Sequence, residues 1–280
     1  METILQEINK EVLVSLILSR LLTLEDSLSV AFEASKKEVG VRFFVVDDLL
    51  PIEVSEHISD KFPNLQSMRL MDSFREKKYT TKSLDNFHSL VHEITFAFQD
   101  PRVIEVVERI TKIKNQSPDP SLYAGGLSAM VKGHFLSPHI DNSHDGSRKF
   151  YRTFNLLYYV SKDWGLEDGG NLELWDKFVI RNTTIVSRFN RLAIMETTPV
   201  SWHSVSEVCS DRVRKCVSNY YFSSESPTGE NYFNVTSFSA RPDQPFRRIL
   251  ARIDNQLRHG IRKIAPAGLG KKDVYKGRKS

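Results

Sequence analysis

Apolar residues recur every four positions at Ile4, Ile8, Val12 and Leu16, which draws one stripe down a helix. A second helix is predicted over residues 24–37, with Leu28 and Phe32 on its inner face. Residues 1–38 therefore read as an N-terminal helical extension. It either buttresses a sheet or offers a surface for dimerisation through the N-terminal helices. Residues 41–46 are rich in β-branched and aromatic types and predict a strand. Helices follow over residues 52–62, 84–98 and 103–113. Between them, residues 64–86 mix Arg, Lys and Thr without a clear period. That stretch reads as a solvated connection or as a mobile segment over a site.

The period changes in residues 133–222. Strand-like runs occupy 153–160, 171–175, 192–195 and 216–222. Their turns carry Gly169-Gly170, read as a hairpin turn, then Asn190-Arg191 and Pro199. Short strands without intervening helices suggest a double-sheet jelly roll of the cupin type. After a polar link, YFNVTSF predicts an edge strand. Pro245 then opens a helix with an apolar stripe of Phe246, Ile249, Leu250, Ile253 and Leu257, and Gly260 is its expected stop. The expected fold is α+β: a double-stranded β-helix (jelly-roll, cupin-like) core, buttressed by N-terminal helices, plus a C-terminal helix. The expected divisions are 1–38, a central domain at 39–245 with its core motifs at 133–222, and a C-terminal helix and basic tail at 246–280.

Composition narrows the classes. Hydrophobic residues are 40% and charged residues 26%, ordinary for a globular protein. Cys209 and Cys216 are the two cysteines, with no CxxC, which points away from a disulfide framework and towards a reducing, cytoplasmic location. The best apolar run, residues 12–18, is flanked by Glu11 and Arg20, so no membrane span is expected. No basic leader segment is evident. Residues 258–280 hold eight Lys and Arg against Asp273 alone. The chain's net charge of +4 therefore reports its tail. A solvated terminus is expected there, and nucleic-acid binding is not, because Tyr275 is its one stacking aromatic.

Candidate chemistry sits inside the strand-rich stretch. His139 and Asp141 lie two apart, which on a strand puts both on one face. His203 follows 64 positions later. One carboxylate and two imidazoles form the facial triad of non-haem Fe(II) oxygenases. His88 and His92 share a helical face, but Ser89 stands where a zinc hydrolase needs Glu. His134 reads as a surface histidine. There is no GxSxG elbow, P-loop or strand-linked GxGxxG.

The order GHFLSPHIDN, then LLYYVSKDW, the GG before the next strand, H-x-V, an Arg and finally YF resembles the 2-oxoglutarate- and Fe(II)-dependent dioxygenases of the prolyl 4-hydroxylase superfamily. It is similar to the hypoxia-type prolyl hydroxylases, notably in HIDN and LLYYVSKDW. It covers about 90 residues from Gly133, with a fainter echo in FFVVDDLLP. It implies Fe(II) held by His139, Asp141 and His203, with 2-oxoglutarate and O2 as co-substrates and ascorbate as a reductant. A C–H bond would be hydroxylated with release of succinate and CO2. Tyr159, Leu157, Leu172, Val205 and Tyr220 match positions lining the family's oxoglutarate pocket. The distal carboxylate needs a permanent cation, and Arg212, Arg214 and Lys215 follow His203. Strand parity demotes Lys215, and the register of the YYF strand places the family's arginine at Arg214. Two departures stand out. Met130-Val131 replaces a tyrosine common on the strand before His-x-Asp, and Ser206-Glu207 replaces the proline common after H-x-V.

Two other classes stay open at this point: a non-catalytic jelly-roll binding module and an oxoglutarate-independent cupin-type oxygenase. The first need not keep all three ligands, and the second needs no cation after His203. The prime substrate is open as well, among a peptide, an amino acid, a glycan and a small metabolite.

Overall fold

In a computed structural model of the chain, residues 8–264 are described, other than Lys82 and Ala124. The two helices expected at the start are one, α1 (Lys10–Val39). Asn9 caps it by accepting from the Val12 amide at 3.1 Å, and Gly40, at φ +81°, ends it with a bond back to Lys36. No Gly or Pro interrupts the segment between, so the helix continues. Its buried face is Leu13, Val14, Ile17, Leu21, Leu28 and Phe32. Val12, expected inside, is exposed, and Leu16 is only partly buried. Ile4 lies outside the described residues.

Next come β1 (Phe43–Val46), α2 (Ile52–Asp60), α3 (Ser89–Ala97) and α4 (Pro101–Thr111). The stretch at 64–86 forms a hairpin, β2 (Arg69–Asp72) and β3 (Glu76–Thr80). Its strands escaped the sequence pattern because neither side is apolar. Glu76, Lys78 and Thr80 line a cavity, while on the other side Tyr79 packs on the core beside charged Asp72 and Lys77.

The remaining strands are β4 (Gln116–Ser117), β5 (Gly126–Met130), β6 (Phe135–Ile140), β7 (Tyr151–Tyr159), β8 (Leu172–Trp175), β9 (Asn182–Ile185), β10 (Arg191–Glu196), β11 (His203–Val205), β12 (Arg214–Ser223) and β13 (Ser237–Phe238). They form one curled antiparallel sheet in the order β1-β10-β7-β12-β5-β3-β6-β11-β8-β9. β3 joins the halves, pairing through Tyr79 and Thr80 with β5 and through Glu76 and Lys77 with β6. β13 is the expected edge strand, on β6. Gly169-Gly170 does not turn a hairpin, because β8 pairs with β11 and β9 rather than with β7. The chain instead crosses there from one half of the sheet to the other. The last helix, α5 (Pro245–Ile264), continues through Gly260.

Strand alternation divides the interior in two. On β7, Phe154, Leu156 and Tyr158 join the cluster beneath the helices, while Tyr159 and Leu157 face the hollow of the curled sheet. On β12, Val217 and Tyr221 pack under the helices, and Arg214, Cys216, Ser218 and Tyr220 line the hollow. Phe32 of α1 lies 6.2 Å, ring to ring, from both Phe44 and Phe154 and is fully buried. Phe32→Ala is expected to cost about 3–5 kcal/mol in urea unfolding through the cavity it leaves. Val30→Ala, at a residue 71% exposed, should stay within about 0.5 kcal/mol. Similar small losses for both would mean that α1 is not part of the core.

Candidate active site

β6 and β11 are antiparallel neighbours, and their register sets His139 directly opposite His203. The imidazole centroids are 4.1 Å apart. Asp141, just past the end of β6, completes the group. Its Oδ1 lies 3.6 Å from His139 Nε2 and its Oδ2 lies 3.5 Å from His203 Nε2. One ligand-type atom from each residue falls within 4.8 Å of the others.

Backbone carbonyls fix the imidazoles. His139 Nδ1–H donates to Ser137 O at 3.0 Å, and His203 Nδ1–H donates to Ser201 O at 3.1 Å. A carbonyl can only accept, so each ring carries a proton on Nδ1 and presents Nε2 to Asp141. Burial and the neighbouring His203 pull the His139 pKa down to about 3, which keeps this ring neutral and able to ligate at neutral pH. The strand behind His203 is braced as well. The Trp175 indole donates to Ser204 Oγ (2.8 Å), which donates to Glu173 (2.6 Å), and Glu173 pairs with Arg241.

Asp141 is held by groups that the sequence did not reveal. Asn155 Nδ2 donates to Oδ2 at 2.8 Å, and the buried Arg152 guanidinium lies 3.1 Å from the same oxygen. Burial opposes ionisation of this carboxyl. The Arg152 charge and the two imidazoles more than offset it and hold the pKa below the usual carboxylate range. Arg152 also stacks on Tyr220, 4.1 Å from its ring centre. Asn155 could have been found, since it shares the inward parity of Leu157 and Tyr159. Arg152 could not, because strand parity groups it with Phe154 and Leu156; the register against β12 shifts between Phe154 and Arg152 and brings it to the cavity side. The donor set and its geometry suit Fe(II): two imidazole nitrogens and one carboxylate oxygen converge from one side.

A cavity of about 370 Å³ opens around the three ligands. Leu157, Leu172, Val205 and Tyr220 line it, together with Arg214. Arg214 is only 3% exposed, and no carboxylate among the described residues pairs with it. Its Nε donates to Ser187 Oγ at 3.2 Å, and its guanidinium lies over the Tyr159 ring at 5.0 Å. The buried Tyr159 hydroxyl makes no hydrogen bond among the described residues, and burial raises its pKa. Met130, at the family's tyrosine position, lies opposite Arg214 on β5, with its sulfur 3.7 Å from Nη1. Gly170 is what lets the Arg214 stem pass. It sits at φ +62°, and a Cβ there would come 2.7 Å from Arg214 Cδ.

The other cations are engaged elsewhere. Arg212 is exposed before β12 begins, in an ion pair with Asp168 at 2.7 Å. Lys215 faces α2 and donates to Ser59 O at 2.8 Å. His134 is not a surface residue. It is 4% exposed and stacked on Tyr79 at 5.4 Å. The hairpin contributes Glu76 and Lys78 to the cavity wall, and Phe238 of β13 stacks on His139 at 5.5 Å.

Comparison with known proteins gives three kinds of likeness. Residues 125–223 match the family described as the 2OG-Fe(II) oxygenase superfamily. Prolyl 3-hydroxylase OGFOD1 of Xenopus laevis is 35% identical over 78 residues, 25% of this chain and 15% of that protein. Its Mus musculus counterpart is 29% identical over 123 residues, 37% of this chain and 22% of that protein. The aligned stretch thus spans less than a quarter of either relative. Among solved structures, a Trichoplax adhaerens prolyl hydroxylase, in complex with a hypoxia inducible factor oxygen degradation domain peptide fragment, shares the fold. Its TM-score is 0.52 at 16% identity, covering 72% of this chain and 91% of that one.

Metal binding tests the geometry directly. Asp141→Ala should abolish retention of Co(II), used as a redox-stable probe, in equilibrium dialysis. Asn155→Ala should weaken it by about 10- to 100-fold, the usual effect of losing a bond that orients a ligand. Wild-type affinity in Asn155→Ala would show that this bond does not position the carboxylate.

Proposed function

We propose that this chain, which belongs to the 2OG-Fe(II) oxygenase superfamily through residues 125–223, is an Fe(II)- and 2-oxoglutarate-dependent hydroxylase of prolyl-hydroxylase type. The observation that carries the reading is one cavity holding both a convergent His-Asp-His face and a buried, carboxylate-free arginine. Bound Fe(II) and 2-oxoglutarate supply the activation of O2 and the oxidation of an unactivated C–H bond, with succinate and CO2 released.

The chain's own residues do the rest. His139, Asp141 and His203 hold the metal from one side and leave the other side to co-substrates. Arg214 receives the distal carboxylate of 2-oxoglutarate through its planar fork. A buried guanidinium without an anion is costly, so the site favours a ligand that brings one. Tyr159 is a further donor beside it, and Leu157, Leu172 and Val205 exclude water from the chain between the two ends. Tyr220 supports Arg152 behind Asp141. Glu76 and Lys78, paired at 2.9 Å, stand in the cavity wall where they would meet a substrate. We take that substrate to be a prolyl residue in a peptide. The OGFOD1 relatives, described as prolyl 3-hydroxylases, support this.

The present residues favour catalysis over a non-catalytic module, since all three ligands and the cation occur together. They favour oxoglutarate use over a cupin-type oxygenase because Arg214 meets no carboxylate among the described residues.

Arg214→Met separates stability from binding. Removing an unpaired buried charge should leave the melting temperature without oxoglutarate unchanged or higher. Oxoglutarate should then no longer raise it, and the oxoglutarate KM should rise tenfold or more, as expected when about 1.5–3 kcal/mol of charged hydrogen bonding is lost. Arg212→Ala should change KM little. The reverse ranking in a succinate-release assay with Fe(II) and ascorbate would sink the assignment. Asp141→Ala and His203→Ala should each abolish succinate release with the fold retained. Mass spectrometry of proline-containing peptides after reaction should show a gain of one oxygen. Succinate release without peptide oxidation, across a broad peptide library, would remove the prolyl assignment alone.

A further inference from the structure

The side of α5 turned away from the sheet is apolar. Phe246 is 82% exposed, Ile249 56%, Leu250 57%, Ile253 50% and Leu257 62%. A surface helix of a globular protein normally turns such a stripe inward. Here the helix docks by its polar side. Ala251 is buried, and Arg248 donates to the carbonyls of Val179, Ala240 and Arg241. Asp254 pairs with Arg75 at 2.6 Å.

These polar anchors carry more exposed apolar groups. Val179 lies between Phe178 and Ile180, which are 65% and 60% exposed. Arg75 lies over the ring of Phe74, itself 49% exposed, at 4.7 Å. The two turns that α5 contacts through Arg248 and Asp254 therefore carry exposed apolar side chains of their own.

Charge says what covers this surface. Residues 245–280 hold eleven Lys and Arg against Asp254 and Asp273, a net +9, while residues 1–244 carry −5. A second copy of the chain would bring two such basic segments together, which is repulsive. A nucleic acid would satisfy the cations but leave the apolar side chains in water. An anionic bilayer satisfies both, because acyl chains accept the apolar face and headgroups accept Lys and Arg. No helix among the described residues is long and apolar enough to cross a membrane. We infer that α5 is an amphipathic anchor that lies flat on an anionic lipid surface, with Phe246, Ile249, Leu250, Ile253 and Leu257 at the level of the acyl boundary.

The experiment is co-sedimentation of the full chain with sucrose-loaded vesicles. One set is phosphatidylcholine alone, and the other contains phosphatidylglycerol in addition. The protein should sediment with the anionic vesicles and not with the neutral ones, and less so as salt is raised. The double variant Ile249→Asp/Leu250→Asp should bind at least tenfold more weakly, with the wild-type melting temperature and succinate release. Both positions are exposed, so the fold survives the change.

Three results would overturn the anchor. The first is wild-type protein that stays in the supernatant with anionic vesicles, and the second is a double variant that sediments like wild type. The third is a wild-type dimer in light scattering that the double variant converts to monomer, which would assign the apolar face to a second copy. Because vesicle binding and melting temperature are read without turnover, the anchor and the hydroxylase reading can fail separately.

Discussion

The pairing of β6 with β11 is the constraint from which the site follows. Two strands of an antiparallel sheet hold opposing residues at a fixed spacing, and here the opposing residues are His139 and His203. β11 is only three residues long, so its position depends on its neighbours. β8 pairs with it on the far side, and the Trp175–Ser204–Glu173–Arg241 chain ties the two together. The carbonyls of Ser137 and Ser201 then fix both rings from two residues upstream. A metal that needs two nitrogens in one orientation finds them set by main chain, which has little freedom to drift.

The two buried arginines of the cavity divide the electrostatic work. Arg152 has a carboxylate, Asp141, and the pair keeps that carboxylate ionised. Arg214 has no such partner and rests on a hydroxyl, a sulfur and an aromatic face. One charge is thus satisfied within the chain, and the other is left for a ligand. Burial alone does not distinguish them, since both are nearly inaccessible.

Much of this was legible in the sequence, and what was not has physical reasons. The two-residue period of β7 and β12 survives in the apolar pattern because one side of each strand packs under helices. The same parity separated Lys215 from Arg214. The hairpin at 69–80 was hidden because charged residues dominate both of its sides, Glu76 and Lys78 in the cavity wall and Asp72 and Lys77 outside it. The long α1 was misread as two helices because a four-residue stripe drifts around a helix of 3.6 residues per turn. Its true inner face begins at Leu13 and Val14. Gly169-Gly170 resembled a hairpin turn, yet Gly170 serves to let a side chain pass. Tertiary approach of that kind leaves no mark on neighbouring residues. The last segment, 265–280, lies outside the described residues.

The strand order also bears on how such a chain assembles. β1 reaches its partner β10 across more than 150 intervening positions, with Phe43 opposite Met195. A closure of that span loses more chain entropy than a hairpin does, and it is regained only once β7 already offers β10 a place. Pairing of the first strand therefore carries one of the larger closure costs in the sheet. The apolar side of α1, packed on β1 and on the helices α3 and α4, is thus fully covered only by contacts of long sequence separation.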